Sequence, residues 1–562
     1  MRGRIVLFKY TGQSVYCASR PSSLSREAKR IDPLSGEALT KTRKEAPKPG
    51  STLKQMPGFH IENFGCRAAR ADGEAIAGHL RAFAERHPVA ADVVVVNTCS
   101  VTAEADRAAR AFIRRTHRRN PAARIVVTGC YAQRAPEELA AMAGVAAVVG
   151  NSHKAFAPEI VFHLAQGAGE PSIAPPSLVP VASLLSASAP QGAPIWADDR
   201  FAHSFLEEAQ LAPGEQTRPN LKIQEGCGNR CTFCVIPQTR GPSRSLPHAV
   251  VLRRVEEFVA AGGKELVLSG INLGRWGRDL SSGLGREPLA GPGHESLSDP
   301  RRQSLASPGR ESLCDLIRAI LTRAALPRLR LSSIEPMDWN DELIGLLREF
   351  GGPRESGSPS AGGSKSGGRS GGHLARHAHL PLQSGSDAVL RRMHRRYRPW
   401  HYAEKVSALF GAAGPDLTLG ADVMAGFPGE TDREFEETLS FVRALPFGYL
   451  HLFPFSPRPG TPGWALHAAS PVPPAAVEER MAALRALAAE KTRVHRSRFI
   501  GRELDVITLH TPPSLASRGF TAALSENFLP ISLGGQFSSN QLLQVRITAL
   551  GFDGQLIALQ DH

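Results

Sequence analysis

Cys227, Cys231 and Cys234 fall in the run Gly-Cys-Gly-Asn-Arg-Cys-Thr-Phe-Cys-Val-Ile-Pro. A C-x-x-x-C-x-x-C triplet offers three thiolates to an iron-sulfur cube that needs four ligands, so one iron stays open. A fully ligated cube only passes electrons, whereas an open iron chelates a substrate; the missing ligand therefore points to a catalytic cluster. The spacing suits neither a zinc site, which takes four ligands in paired C-x-x-C arms, nor the C-x-x-C-x-x-C run of bacterial ferredoxins. Gly226 and Gly228 let the backbone wrap closely around an inorganic core. The competing reading is three reduced structural thiols placed together by chance.

Three more cysteines end apolar runs: Phe59 to Gly65 leads to Cys66, Asp92 to Thr98 leads to Cys99, and Arg124 to Gly129 leads to Cys130. Helical patterns over Gly73 to Arg86 and Ala103 to Arg118 separate them, so the order is strand-helix-strand-helix-strand with a unit of about thirty residues, as βαβ crossovers require. The strands are then parallel, and their carboxyl ends share one edge, where such sheets bind ligands. Three thiolates there would hold a second open cluster. Equally, each is a small residue of the kind often buried at a strand end.

The chain has 562 residues, eight cysteines and a net charge of +14. That length predicts about two to four domains. The charge is compatible with a polyanionic partner, commonly nucleic acid, but also with solvated surface or basic tails. No apolar run approaches the roughly 18 residues of a membrane span, and the N-terminus lacks a signal-peptide core, so a cytoplasmic protein without membrane partners is expected. Cysteines in a reducing compartment read as ligands or catalytic thiols, not disulfides. Cys17 and Cys314, in polar irregular stretches, read as bystanders.

Residues 1–55 read as a disordered basic extension, with Met56 a candidate start. Residues 57–165 form an N-terminal α/β domain, 166–212 a linker, 213–455 a barrel interrupted by insertions near 279–311 and 353–372, 456–497 a helical connection, and 498–562 a small β domain. Six strand candidates within 213–455 (221–225, 265–269, 328–333, 377–382, 418–424 and 448–454) alternate mostly with helical patterns such as Val250 to Ala261, which makes a partial α/β barrel. The C-terminal strands, 504–509, 519–523, 542–549 and 555–559, suggest a small antiparallel barrel.

The Cys227 triplet resembles the radical S-adenosylmethionine superfamily. With Asn97-Thr-Cys-Ser-Val-Thr-Ala-Glu-Ala and Val127-Thr-Gly-Cys-Tyr-Ala-Gln, the chain resembles the methylthiotransferases from about residue 57 onward. The resemblance implies two 4Fe-4S clusters, an auxiliary one on Cys66, Cys99 and Cys130 and a catalytic one on Cys227, Cys231 and Cys234. It also implies S-adenosylmethionine, a tRNA substrate, a flavodoxin-like or ferredoxin-like electron donor, a sulfur source, a (β/α)6 barrel and a C-terminal TRAM-like domain. On that reading, cleavage of S-adenosylmethionine gives a 5'-deoxyadenosyl radical that removes hydrogen from the substrate carbon receiving the methylthio group. One departure stands out: Arg67-Ala-Ala-Arg70 replaces the family's Lys-Val-Asn-Gln-like run, putting Ala69 where a polar group is usual.

Polar residues at the carboxyl ends of barrel strands, Gly270, Asn272, Ser333, Glu335, Gln383 and Ser384, are candidates to hold S-adenosylmethionine, though loops are polar anyway. The run Arg391 to Arg398, with Arg391, Arg395, Arg396 and Tyr397, together with Arg518, Phe520 and Arg546, are candidates for RNA contact; the alternative is solvated surface. Gly270 to Gly277 and Leu331 to Pro336 resemble the threonylcarbamoyladenosine branch. Ribosomal-protein aspartate and isopentenyladenosine methylthiotransferases are the alternatives. A non-catalytic RNA-binding iron-sulfur protein, from a different class, would not need two three-cysteine sites.

Overall fold

The computed structural model describes residues 58–86, 91–166, 192–202, 217–280, 311–352 and 372–559. The expected basic extension, most of the linker, nearly all of both insertions and Cys17 lie outside the described residues.

The first sheet is five-stranded and parallel, in the order β1 (Phe59–Asn63), β2 (Val93–Thr98), β3 (Arg124–Gly129), β4 (Val145–Gly150), β5 (Ile195–Trp196). Val93 and Val95 pack on one face, Val94 and Val96 on the other, so β2 is a continuous apolar run, as a sheet covered on both faces demands. Helix α1 (Arg67–Ala84) covers the first face with Ile76 and Leu80; α2 (Ala103–Arg119) covers the second with Ala109 and Ile113. The α2 start is capped by Thr102, whose Oγ1 accepts from Ala105 N, with Glu104 and Asp106 in its first turn. Two expectations need correction. The stretch expected as a linker contributes β5, since Val148 N bonds to Pro194 O and draws this segment onto the sheet edge. Helix α1 starts at Arg67, not Gly73, because Ala68, Ala69 and Ala71 are small enough to be buried.

The second unit is a partial barrel. β6 (Asn220–Glu225), β8 (Glu265–Gly270), β9 (Arg328–Leu331) and β10 (His373–Leu374) run parallel, with β7 (Arg244–Ser245) antiparallel at the β6 edge. β11 (His377–His379), β12 (Thr418–Ala425) and β13 (Phe447–Pro454) continue it in parallel. The fourth strand position is thus split between β10 and β11. Leu221, Ile223, Leu266, Leu268, Leu419, Ala421 and Val423 join the helices' apolar faces in one core. The alternate residues, such as Lys222, Glu265 and Asp422, are the polar ones, as the two-residue period of strands requires. Cys314 is no irregular bystander: it is buried in the core on helix Leu313–Thr322.

Helices Pro462–Ala469 and Pro474–Ser497 lead to a closed five-stranded barrel: β14 (Glu503–Thr508), β15 (Phe520–Ser525), β16 (Pro530–Gly534), β17 (Leu542–Leu550) and β18 (Leu556–Leu559), in the order β14-β15-β16-β18-β17. β16 was not expected, because Pro530 at its start masks the pattern; proline is tolerated as a strand's first residue. The β15–β16 turn docks on the larger barrel through Arg376–Glu526, Asn527 Nδ2 to Asp416 O (2.9 Å) and Arg330 Nη2 to Ser525 O (3.2 Å). Among the described residues, no helix is long and apolar enough to cross a membrane.

Candidate cluster sites and barrel cavity

Cys66 is the N-cap of α1, Cys99 follows β2 directly, and Cys130 opens a short helix, Cys130–Arg134, after β3. The parallel sheet therefore brings three thiols to one edge. Cys99 and Cys130 are buried and Cys66 is exposed. Burial, then the neighbouring Cys66 and Cys130, pushes the Cys99 thiol up to about 12. Three thiols crowded in this way would ionise together only against a cation, which a metal cluster could supply. Asn151 Nδ2 reaches the Cys130 sulfur at 3.4 Å and the Thr239 carbonyl at 2.8 Å, tying this edge to the barrel.

Gly65 makes the packing possible. Its φ is +103°, and a Cβ there would lie 2.3 Å from the Cys99 Cβ. Gly65→Ala is expected to lower iron bound at this site by more than half, measured as iron per chain after anaerobic reconstitution; unchanged iron would show that the loop yields freely.

Behind the edge lies a buried ionic cluster. Lys154 Nζ donates to Asp72 (2.9 Å) and Glu225 (2.7 Å), Arg240 Nη1 to Asp72 (3.1 Å) and Glu225 (2.6 Å), and Lys222 to both carboxylates. Three cations face two anions, and Arg240 Nε and Nη2 are buried without a hydrogen bond. Despite burial, Arg240 is held well above its usual range, with Cys130 the largest of the opposing influences and Cys66 among the others. The surplus charge thus faces the thiols. A second bridge, from Arg134 and Arg458 to Asp106 (2.8 and 2.7 Å), joins the same two units.

At the barrel, Cys227 follows β6. Its sulfur accepts from Asn229 N (3.4 Å) and Asn272 Nδ2 (3.6 Å), and Arg395 Nη1 donates to the Cys231 sulfur (3.3 Å). Such donors stabilise thiolate and tune a cluster. Burial, with Cys231 and Cys227 adding, raises the Cys234 thiol to about 12. A small pocket opens here, lined in part by Cys231, Glu335, Met337, Arg395 and Arg396. Gln224 latches the loop: its Nε2 donates to the Glu225 and Gly226 carbonyls and to Ser243 Oγ, and its Oε1 accepts from Asn272 N. Gly270 leaves room for it, since a Cβ there would meet Gln224 at 2.9 Å.

Residues 58–150 match the family described as "Uncharacterized protein family UPF0004". The chain is 31% identical over 511 residues to the threonylcarbamoyladenosine tRNA methylthiotransferase MtaB of Bacillus subtilis, covering 89% of this chain and 96% of that protein. The chain belongs to the methylthiotransferase family. It is also 30% identical to the MtaB of Thermotoga maritima, over 80% of this chain and 86% of that protein. Identity reaches 32% with a tRNA-2-methylthio-N(6)-dimethylallyladenosine synthase of Sorangium cellulosum, over 80% of this chain and 82% of that protein. S-adenosylmethionine and 4Fe-4S clusters are the cofactors of radical S-adenosylmethionine methylthiotransferases. Both thiol triplets offer the donor set such clusters take: three sulfurs each, with amide or guanidinium donors reaching Cys227, Cys231 and Cys130 among them.

Against this methylthiotransferase frame, several candidates change role. Arg395 and Tyr397 are not RNA contacts. Arg395 is buried between Cys231, Glu335 (2.5 Å) and the Tyr397 hydroxyl, and the Tyr397 hydroxyl donates to the Pro381 or Leu382 carbonyl, 2.7 Å from each. A buried guanidinium needs such partners, so the run Arg391 to Arg398 divides: Arg391 and Arg396 are exposed, and Arg391 pairs with Asp387. Ser384 is fully buried with its hydroxyl on Thr438 (2.9 Å), which takes it away from a cofactor, whereas Ser333 is exposed, with Oγ bonded to His379 Nδ1 (2.7 Å). Gln383, at φ +66°, has no side-chain hydrogen bond among the described residues, which leaves its amide available. Arg518 lies over Phe520 at 5.9 Å on the C-terminal barrel, and Arg546 pairs with Glu503. Ala69 is buried, and its carbonyl accepts from Asn97 Nδ2.

Residues missed from sequence include Gln224, Asn151, the five-member ionic cluster and a triad of His379, Asp422 and His451 on adjacent strands. His379 Nε2 and His451 Nδ1 lie 3.4 and 3.2 Å from Asp422 Oδ1 and hold its carboxyl well below the usual range despite burial. Their spacing across β11, β12 and β13 is invisible without the strand register.

Proposed function

We propose that this methylthiotransferase transfers a methylthio group to C2 of N6-threonylcarbamoyladenosine at position 37 of tRNA, next to the anticodon. The observation that carries the reading is the placement of two three-thiol sites against one barrel. Cys231 lines the pocket at its mouth, with Cys227 and Cys234 in the same loop, and Cys66 caps the helix whose next residue, Arg67, lies near Tyr449 and Asp422. The relative in Bacillus subtilis, matched along 96% of its length, supports the threonylcarbamoyl branch, as do the runs Gly270 to Gly277 and Leu331 to Pro336.

When bound, the cluster at Cys227, Cys231 and Cys234 supplies the electron that cleaves S-adenosylmethionine, and the cluster at Cys66, Cys99 and Cys130 supplies the site of sulfur methylation. Arg395 fixes Glu335 at the mouth, and Gln224 fixes Asn272 against Cys227. Gln383 is free to bind the nucleotide or the cofactor. Phe528, Tyr449 and His377 pack together at the base of the barrel, where such a plug would help keep water from a reactive intermediate. Arg396, Arg518 and Phe520 contribute phosphate and stacking contacts to the RNA. An electron donor of the flavodoxin or ferredoxin kind and a sulfur source complete the system.

In a deletion strain, mass spectrometry of tRNA nucleosides is expected to find 2-methylthio-N6-threonylcarbamoyladenosine gone and its unthiolated precursor accumulated. Loss of a methylthio-isopentenyladenosine, or of a methylthio-aspartate from a ribosomal protein, would replace this reading by the corresponding branch.

A further inference from the structure

The base of the barrel holds more positive charge than its acids neutralise. Phe528, on the β15–β16 turn, has φ +71°, a conformation that is costly for a bulky residue and that persists only where surroundings impose it. Its ring lies 4.4 Å from His377 and 5.6 Å from Tyr449. Two guanidiniums face the same ring: Arg330 at 5.2 Å and Arg67 at 5.7 Å. Arg330 is fully buried, bonds Glu265 and the Ser525 carbonyl, and keeps Nη1 without a partner. His377 Nδ1 is also buried without one. The Arg67 side chain is half-buried and makes no hydrogen bond or close ion pair among the described residues, with Asp422 near enough only to act through space.

Arg67, Arg218, Arg328, Arg330 and Arg376 thus stand against Glu265, Asp422 and Glu526; Asp422 is already shared by His379 and His451, and Glu526 is taken by Arg376 and His373. Burial and the neighbouring Arg330 and Arg67 hold His377 well below its usual range, so it adds no charge. Unpaired buried cations are costly, and a bound anion relieves them. Position along the strands gives the anion's place. His377 and Tyr449 precede His379 and His451 by two residues on the same faces, one layer or about 7 Å deeper.

We propose that this base layer is a carboxylate-binding subsite, with Arg67 its principal contact, and that it reads the carboxylate ending the N6 substituent of the substrate adenosine. The inference rests on the threonylcarbamoyl reading above. That substituent is roughly 6 Å long from N6 to its carboxylate, enough to span one layer below a base held near the mouth. An isopentenyl group carries no anion and leaves the guanidiniums unpaired, so the layer discriminates between the two substrates.

The test uses the reconstituted full-length enzyme and synthetic anticodon stem-loops carrying threonylcarbamoyladenosine, its carboxylate methyl ester, or isopentenyladenosine, with binding read by fluorescence anisotropy. The parent is expected to bind the acid about 100-fold more tightly than the ester. Arg67→Gln binds both alike, at the ester's affinity, while Arg67→Lys keeps most of the preference; iron content and melting temperature report folding. An Arg67→Gln protein that keeps the parent's acid-to-ester ratio overturns the proposal. So does a parent without that ratio, a result that needs no variant and stands even if Arg67→Gln loses iron. If Arg67→Gln weakens S-adenosylhomocysteine binding and leaves the ratio intact, the anion is the cofactor's carboxylate and the proposal is wrong. A parent that prefers and methylthiolates the isopentenyl stem-loop refutes the branch; one that methylthiolates the threonylcarbamoyl stem-loop without an acid preference refutes the subsite alone.

Discussion

Cys99→Ala is expected to abolish methylthio transfer and to reduce iron from about eight to about four per chain, while 5'-deoxyadenosine still forms from S-adenosylmethionine. Cys99 is buried beneath Gly65, where a Cβ would lie 2.7 Å from its sulfur, so its thiol is the ligand this close packing presents. Two thiolates do not hold a cube. The triplet at the barrel mouth shares no ligand with this site and keeps its own donors, Asn229, Asn272 and Arg395. Iron analysis, Mössbauer spectra and product chromatography on the reconstituted variant check this. Loss of 5'-deoxyadenosine with the second cluster intact would mean that the two sites do not divide the work in this way.

Asp72→Ala is expected to cost about 3–5 kcal/mol of stability, because it leaves Lys154, Lys222 and Arg240 against Glu225 alone in a buried setting. Asp72 sits on α1, and Lys222, Glu225 and Arg240 belong to the barrel unit, so the loss falls on the joint between them. Auxiliary iron should fall with it, since Cys66 caps the same helix. Urea unfolding with intact clusters measures the effect. A change below about 1 kcal/mol, the size expected of a surface pair, would show that water reaches these charges.

The cysteine motifs were legible because their information is local: spacing within a loop names the ligand set, and strand-end position with the parallel order places Cys66, Cys99 and Cys130 together. The ionic cluster was not, because Asp72 and Lys154 lie between 71 and 168 residues from the partners they meet, although Lys222, Glu225 and Arg240 are near one another in the chain. Charge density misled for the same reason. Within Arg391 to Arg398, Arg395 and Arg391 look alike in sequence, and only packing shows that one meets Cys231 and Glu335 while the other faces solvent. Ala69 read as a lost polar group; in the structure its small side chain lets α1 settle against the sheet edge, with the carbonyl taking the Asn97 amide.

The Phe528 turn gives the C-terminal barrel a second office. A module that could be regarded as a detachable handle for RNA also serves as the bung of the reaction vessel, through Phe528 under His377 and Tyr449 and Glu526 on Arg376. Exchanging it for another RNA-holding cassette would therefore uncork the chamber, and a replacement would have to supply its own stopper before it could be judged on grip.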